Sequence, residues 1–246
     1  MDLGKPVAKG NTAELYLSGD KIIKLFHGGV PDGESAFEAE KQKYARSCGL
    51  PVPKVLDVTR INGRQAIVME YIRGKTLGGK IKENPAEAEH FLKLSVEMQL
   101  KIHSIDAGPL EPMTEKLSRQ IKEARVLDTG CRSALLEKLA SMPVEQKLCH
   151  GDCHVFNLVQ SDHGIFILDW VDASSGNVRA DACRSFLLYL QFSEGLAELY
   201  LRLYCGASGL SKDEILPWAP VVAGARLSEN VPAENAGRLL RIAKGS

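Results

Sequence analysis

The 246-residue sequence predicts an α+β fold in two parts: a small N-terminal antiparallel sheet carrying one helix over residues 1–72, and a larger, mainly helical part over 73–246. Three observations predict it. Short apolar runs separated by turn residues fill the first part. From Arg73-Gly74 onward the apolar spacing lengthens to that of helices. Residues 148–170, LCHGDCHVFNLVQSDHGIFILDW, then set Asp152, Asn157 and Asp169 around a short hairpin.

Thr12 to Leu17 and Lys21 to Phe26 flank the Ser18-Gly19-Asp20 turn and read as the first hairpin. Glu34 to Cys48 reads as a helix, stopped by Gly49 and the Pro51-Val52-Pro53 stretch. Val55 to Arg60 and Arg64 to Tyr71, split by Asn62-Gly63, form a second hairpin. In the helical part, Asn84-Pro85-Ala86-Glu87 offers a helix start, with the helix running to about His103. Leu92, Leu94, Val96, Met98, Leu100 and Ile102 alternate like a strand, but nineteen residues rich in Glu, Lys, Leu, Met and Gln suit a helix, with Phe91, Leu94, Met98, Ile102 and Ile105 on one ridge. Further helices are expected at 114–126, 132–141, 181–192, 195–205, 212–228 and 233–243.

The hairpin of 148–170 carries the chemistry. An Asp in a tight loop, an Asn five residues on and a second Asp beyond a hairpin are the parts of magnesium-assisted phosphoryl transfer. Here Asp152 is the expected base, and Asn157 and Asp169 are the expected metal ligands. Leu158 and Val159 read as one strand, Ser161 to Gly164 as the turn, and Ile165 to Leu168 as the return. Cys149, His150, Cys153 and His154 could instead be read as a zinc knot, but Cys48, Cys131, Cys183 and Cys205 stand alone and give no second ligand pair. Haem attachment would need an exported protein, and MDLGKPVAKG has no apolar run to act as a signal.

Lys24 lies in an apolar strand with Ile22 and Phe26 on its face, so it needs a partner and suits a phosphate grip; snorkelling from an edge strand is the alternative. Helical phase puts Glu40 on the face of Phe37 and Tyr44, with Glu38 roughly opposite, so Glu40 is the expected partner. Gly10, Asn11 and Thr12 form a turn whose N–H groups could cover phosphates, although no full G-x-G-x-x-G and no Walker A sequence is present. Where the small sheet ends, the Glu70 carbonyl and Ile72 N–H could meet an adenine edge, with Met69 walling the pocket. Asp181 could cap a helix or brace the catalytic loop, and Trp170 is expected to pack behind Asp169.

Composition excludes several classes. Lys plus Arg and Asp plus Glu are 31 each, so there is no basic footprint for nucleic acid or an anionic membrane. No apolar run is long enough to span a bilayer. Six scattered cysteines imply free thiols, a reducing compartment and a cytoplasmic location.

Together these residues resemble the aminoglycoside phosphotransferase and choline kinase-like family, over about residues 5–192. The resemblance rests on H-G-D-x-x-x-x-N at His150 to Asn157, Asp169-Trp170 after a hairpin, Ile102-His103-Ser104-Ile105-Asp106 ending a long helix, and Glu38-Ala39-Glu40-Lys41 ahead of Leu50-Pro51-Val52-Pro53. It implies a two-lobed protein kinase-like fold, a nucleotide-binding lobe over 1–72 and a catalytic and substrate-binding lobe over 73–246 of one domain. It further implies ATP, or GTP, with Mg2+ as cofactors, Lys24 and Glu40 as the phosphate grip, and a small-molecule hydroxyl as acceptor. Only eleven residues separate Asp169 from Asp181, which leaves no room for a protein-kinase activation segment. The alternative is a catalytically idle nucleotide-binding module acting through partners. Aminoglycosides would need excess acid, whereas residues 221–246 carry Arg226, Arg238, Arg241 and Lys244 against Glu229 and Glu234. Choline would need an aromatic cage, for which Trp170, Tyr189, Tyr200, Tyr204 and Trp218 are the candidates. The acceptor, the nucleotide preference and the oligomeric state stay open.

Overall fold

A computed structural model describes residues 3–231 and 235–245. In chain order the elements are β1 (Ala8–Lys9), β2 (Ala13–Ser18), β3 (Lys21–Phe26), α1 (Glu34–Ser47), β4 (Val55–Ile61), β5 (Arg64–Glu70), β6 (Lys75–Thr76) and α2 (Leu77–Glu83). There follow α3 (Ala88–His103), α4 (Met113–Glu123), α5 (Thr129–Ser141), β7 (Lys147–Cys149), β8 (Leu158–Ser161), β9 (Gly164–Ile167) and β10 (Ser174–Gly176). The last are α6 (Val178–Phe192), α7 (Glu194–Ser208), α8 (Lys212–Ile215), α9 (Ala219–Arg226) and α10 (Ala236–Lys244).

The chain forms two compact units: the described residues up to Lys80 with Phe156–Val171, and Ile81–Val155 with the described residues from Asp172 onward. The first unit holds an antiparallel sheet in the order β1-β2-β3-β5-β4 and a second, three-stranded sheet β6-β8-β9. Its strands alternate. Phe26 and Ile67 pack with Ala13 and Ala39 on the face that α1 covers, while Tyr16, Ile23, Leu25 and Ala66 form the opposite face. The β4–β5 turn needs left-handed backbone at both central residues, and Asn62 (φ 50°) and Gly63 (φ 80°) supply it.

In the second unit α3 packs on α7, α6 on α7 and α9, and α4 on α9, with β7 paired to β10. The strand-like alternation at residues 92–102 gives way to helix because a stripe of polar residues, Ser95, Gln99 and His103, is buried beside the apolar ones. One element is unexpected and one expectation changes. α2 is not legible in the sequence, where the Gly78-Gly79 pair weakens the helix signal; Gly78 is held there because a Cβ would run into the Phe156 ring. The helix expected over 212–228 is broken into α8, α9 and two short 3-10 turns, since Pro217 and Pro220 remove N–H donors. The last helix starts at Ala236 under an Asn235 cap; positions 233 and 234 of the expected span lie outside the described residues.

Candidate active site

In the first unit the β8–β9 hairpin brings its two ends together. Leu158 pairs with Ile167, and the Leu168 N–H donates to the Asn157 carbonyl at 2.8 Å, so Asn157 and Asp169 leave the hairpin at the same end. Asp169 sits at φ 59°, a left-handed conformation that Asp tolerates and that concentrates at functional sites. Behind it Trp170 is fully buried and its indole N–H donates to the Ile167 carbonyl at 3.3 Å.

Lys24 reaches this end from β3. Its strand is flanked by β2 and β5, so the edge-strand alternative does not hold. Nζ donates to Glu38 Oε1 at 2.6 Å and to Asp169 Oδ1 at 3.0 Å. The expected pairing with Glu40 is therefore corrected to Glu38. Glu40 points to solvent and bonds Lys43 at 2.7 Å. Phe37, the aromatic that marks the Glu40 face in the sequence, is 49% exposed, and α1 buries small and polar residues instead, Ser35, Glu38, Ala39, Lys41, Gln42 and Ala45. Lys41 is buried with them and donates to the Val171 carbonyl at 2.6 Å.

One cation is thus shared by two carboxylates. Burial alone would lower the Lys24 ammonium pKa, but the charges of Asp169 and Glu38 reverse this and hold it above its usual value. Glu38 is pushed up to about 7, by burial first; Lys24 opposes the rise and Asp169 adds to it. Its second oxygen, Oε2, is buried without a hydrogen-bond partner.

Gly10, Asn11 and Thr12 form the exposed tip between β1 and β2, closed by Gly10 N–H to the Ala13 carbonyl at 2.8 Å. At the end of β5, Met69 contacts Gln42, whose Nε2 is 3.8 Å from its sulfur. The Glu70 N–H donates to Lys54 O at 2.9 Å, its carboxylate accepts from Lys54 N at 3.1 Å, and Ile72 follows beyond the strand.

In the second unit the loop that carries Asp152 stands over a buried carboxylate. Asp181 Oδ1 accepts the Gly151 N–H at 2.7 Å; Oδ2 accepts from Gln99 Nε2 at 3.1 Å and from the His150 N–H at 3.4 Å, and lies 2.9 Å from His103 Nε2. Gln99 also meets Ser185 and Tyr200, His103 meets Tyr204, and Ser95 meets Tyr189. The helix cap is Asn177, which accepts the Arg179 N–H at 2.9 Å; Asp181 braces the loop. The Ser95, Gln99, His103 stripe was missed in the sequence, and its signal is there: three polar residues four apart inside an apolar helix face. Burial would raise the Asp181 carboxyl, yet the hydrogen bond and charge of His103, then Gln99 and the Gly151 N–H, bring it down to about 2.

Asp152 itself is partly exposed. His154 Nε2 lies 3.5 Å from its Oδ2, and its N–H donates to His150 Nδ1 at 3.2 Å. Burial pushes its carboxyl up, but His154, Arg184 and His150 together hold it well below the usual carboxylate range. It is thereby kept ionised and able to accept a hydrogen.

Cys149 and Cys153 are buried, and burial pushes both thiols well above their usual value. His103, Cys149 and Asp181 offer ligand atoms within 4.8 Å of one another, but the Asp181 oxygens are already hydrogen-bonded. Cys153 and His154 do not join that group among the described residues.

The fold and these residues define a phosphoryl-transfer enzyme. The sequence profile of the phosphotransferase enzyme family matches residues 4–216, and the chain belongs to that family, as a small-molecule kinase. No curated protein sequence matches it. Among solved structures, a thermostable mutant of the aminoglycoside phosphotransferase APH(4)-Ia is similar at a TM-score of 0.72 and 14% identity, over 98% of this chain and 94% of that one. The choline kinase LicA from Streptococcus pneumoniae is similar at a TM-score of 0.64 and 18% identity, over 99% and 92%. An aminoglycoside-3'-phosphotransferase of type VIII reaches 0.64 and 18% over 92% and 90%. Thermostable mutants of APH(4)-Ia have been crystallised as ternary complexes with ADP and hygromycin B and with AMP-PNP and hygromycin B, and LicA with AMP. These likenesses establish the kinase-like fold. Among the described residues no helix is long and apolar enough to cross a membrane.

Proposed function

We propose that this phosphotransferase moves the γ-phosphoryl group of ATP, with Mg2+, to a hydroxyl of a small molecule. The observation that carries the reading is Lys24, buried in a central strand and held between Glu38 and Asp169. A lysine so placed is fixed in direction and charged, as a phosphate grip must be. Asn157 and Asp169 offer hard oxygen donors that suit Mg2+, and the partnerless Oε2 of Glu38, which shares Lys24 with Asp169, fits a site completed by a bound group. A bound Mg2+ held by these residues would supply charge to screen the transferring phosphate. Asp152 accepts the hydrogen of the acceptor hydroxyl.

Residues 1–72 act in this reading as the nucleotide-binding lobe and 73–246 as the catalytic and acceptor lobe of one domain. The Gly10 to Thr12 tip covers the phosphates, the Glu70 carbonyl and Ile72 N–H meet the base edge, and Met69 walls the base. The nucleotide complexes of APH(4)-Ia and LicA support the donor. A quaternary-ammonium acceptor draws no support, because Trp170, Tyr189, Tyr200, Tyr204 and Trp218 are each at most 1% exposed and cannot form an open cage. The test is ADP formation from Mg-ATP in the presence of choline, ethanolamine, sugars, amino sugars, aminoglycosides and macrolides, with GTP as the second donor and the product located by 31P NMR. Acceptor-dependent ADP is expected from at least one class. No such ADP, together with no calorimetric binding of Mg-ATP, would sink the reading.

A further inference from the structure

Arg184 lies one helical turn after Asp181 on α6, so the two side chains leave the same face. Both act on Gly151. Asp181 takes its amide hydrogen at 2.7 Å, and Arg184 Nε donates to its carbonyl oxygen. That carbonyl belongs to the Gly151–Asp152 peptide, whose N–H donates to His150 Nδ1 at 3.2 Å. The peptide plane leading into Asp152 is therefore held at both ends. Gly151 has φ 79°, and a Cβ there would lie 2.5 Å from the Asp172 carbonyl oxygen, so the loop has no room to relax on that side.

The guanidinium is itself held. Glu229 receives Arg184 Nη1 at 2.7 Å and Nη2 at 3.2 Å, a two-point grip that fixes the plane of the fork. Asp172 Oδ2 lies 3.4 Å from Nη2, and Lys116 Nζ donates to the Asp172 carbonyl and Oδ1, both at 2.6 Å. Arg226 adds a 3.1 Å contact to Glu229. Glu229 stands in the 3-10 turn that follows α9, past residue 216, where the family match ends.

We propose that Arg184 and Glu229 are positioning residues for phosphoryl transfer: Glu229 orients the Arg184 fork, the fork holds the Gly151 carbonyl, and the Gly151–Asp152 peptide so fixed directs the Asp152 carboxylate. Residues 219–229 thereby become a working part of the catalytic loop. The inference rests on Asp152 as the base. An ion pair serving stability alone could be replaced by apolar packing, whereas a two-point grip on a fork that ends on a catalytic-loop carbonyl supplies direction.

The test uses the full chain, labelled with 13C and 15N, with Mg-ATP and water as acceptor. Glu229→Gln keeps the volume and removes the charge. Phosphate release should fall about 10- to 100-fold in kcat, with KM for Mg-ATP within about twofold. The Gly151 carbonyl and Asp152 amide resonances should move, and Glu229→Asp should restore part of kcat. Wild-type kcat together with unmoved Gly151 and Asp152 resonances would overturn the proposal. If Glu229→Gln does not fold, Arg184→Lys, which keeps the charge but loses the fork, is read by the same two measurements. Asp152→Ala in parallel separates the two ideas. Full phosphate release by Asp152→Ala removes the base and this role with it. Its loss there, beside wild-type behaviour of Glu229→Gln, leaves the base in place and overturns the positioning role alone.

Discussion

The Lys24 cluster and the Asp181 cluster both bury carboxylates, yet they are completed to different degrees. Asp181 accepts from two backbone N–H groups and Gln99 and lies against His103, so both of its oxygens are satisfied within the protein. Glu38 shares one lysine with Asp169 and keeps an oxygen without a partner, while Asp169 stands on a left-handed backbone with 40% of its side chain exposed. A satisfied buried network rigidifies, whereas a buried polar atom left unpaired calls for an account, and a bound group is one such account. In the proposed function the two clusters divide the work of preorganising a loop and of receiving a charged ligand. That contrast can be broken at either end.

The largest effect is expected at the residue the satisfied cluster presents. Asp152→Ala should lower turnover with any acceptor about 10²- to 10⁴-fold while the calorimetric affinity for Mg-ATP stays within about threefold. Undiminished turnover would remove Asp152 from the role of base and leave the Asp181 network as scaffolding only. At the open cluster, Lys24→Met should act on the nucleotide. A loss of about 10²-fold in kcat/KM for Mg-ATP is expected, with a rise in KM as part of it, because the phosphate charge loses its fixed cation. Glu38→Gln should reproduce part of that loss by letting Lys24 swing. If Lys24→Met binds and turns over Mg-ATP as the wild type does, the open cluster is not a phosphate grip.

The satisfied cluster should instead show itself in stability against acid. The Asp181 carboxyl is held at about 2, below its ordinary 3.8, so the folded state binds its proton less readily than the unfolded chain. The stabilisation is then fully present above pH 4 and is lost as pH falls toward 2, a contribution on the order of 2 kcal/mol. Urea unfolding at steps between pH 5.5 and 3 should show this slope. Asp181→Asn should flatten the slope and lower stability at neutral pH; an unchanged slope in that variant would assign acid sensitivity to other carboxylates.

How far these clusters could be read from the sequence follows from the same contrast. The hairpin holding Asn157 and Asp169 was plain, since turn residues and alternation act locally, and both early hairpins formed with their expected turns. Lys24 could be singled out because a charge within an apolar strand is conspicuous. Its partner could not be found by hydrophobic phase, since α1 buries Glu38, Lys41 and Gln42 and leaves Phe37 outside. The polar stripe of α3 shows in the sequence as a four-residue repeat, but its burial does not, since Ser95, Gln99 and His103 are residue types that ordinarily face solvent. Glu229 was legible only as an acid among arginines. Its value comes from contacts with Arg184, forty-five residues away in the chain, which no local pattern encodes.

The smallest effect is the one that checks the choice of helix face. Glu38 and Glu40 are two residues apart on α1, but only Glu38 is covered, and the Glu40–Lys43 pair lies in solvent with 71% of the Glu40 side chain exposed. An exposed pair at this spacing contributes little, because water screens it and two long side chains must be ordered to make it. Glu40→Gln should therefore change stability by less than about 0.5 kcal/mol and leave KM for Mg-ATP unaltered. Glu38→Gln, the same chemical change two positions earlier, should raise that KM. Paired titrations of the two variants decide the matter, for a Glu40→Gln defect as large as that of Glu38→Gln would mean that both carboxylates reach Lys24 when nucleotide is bound.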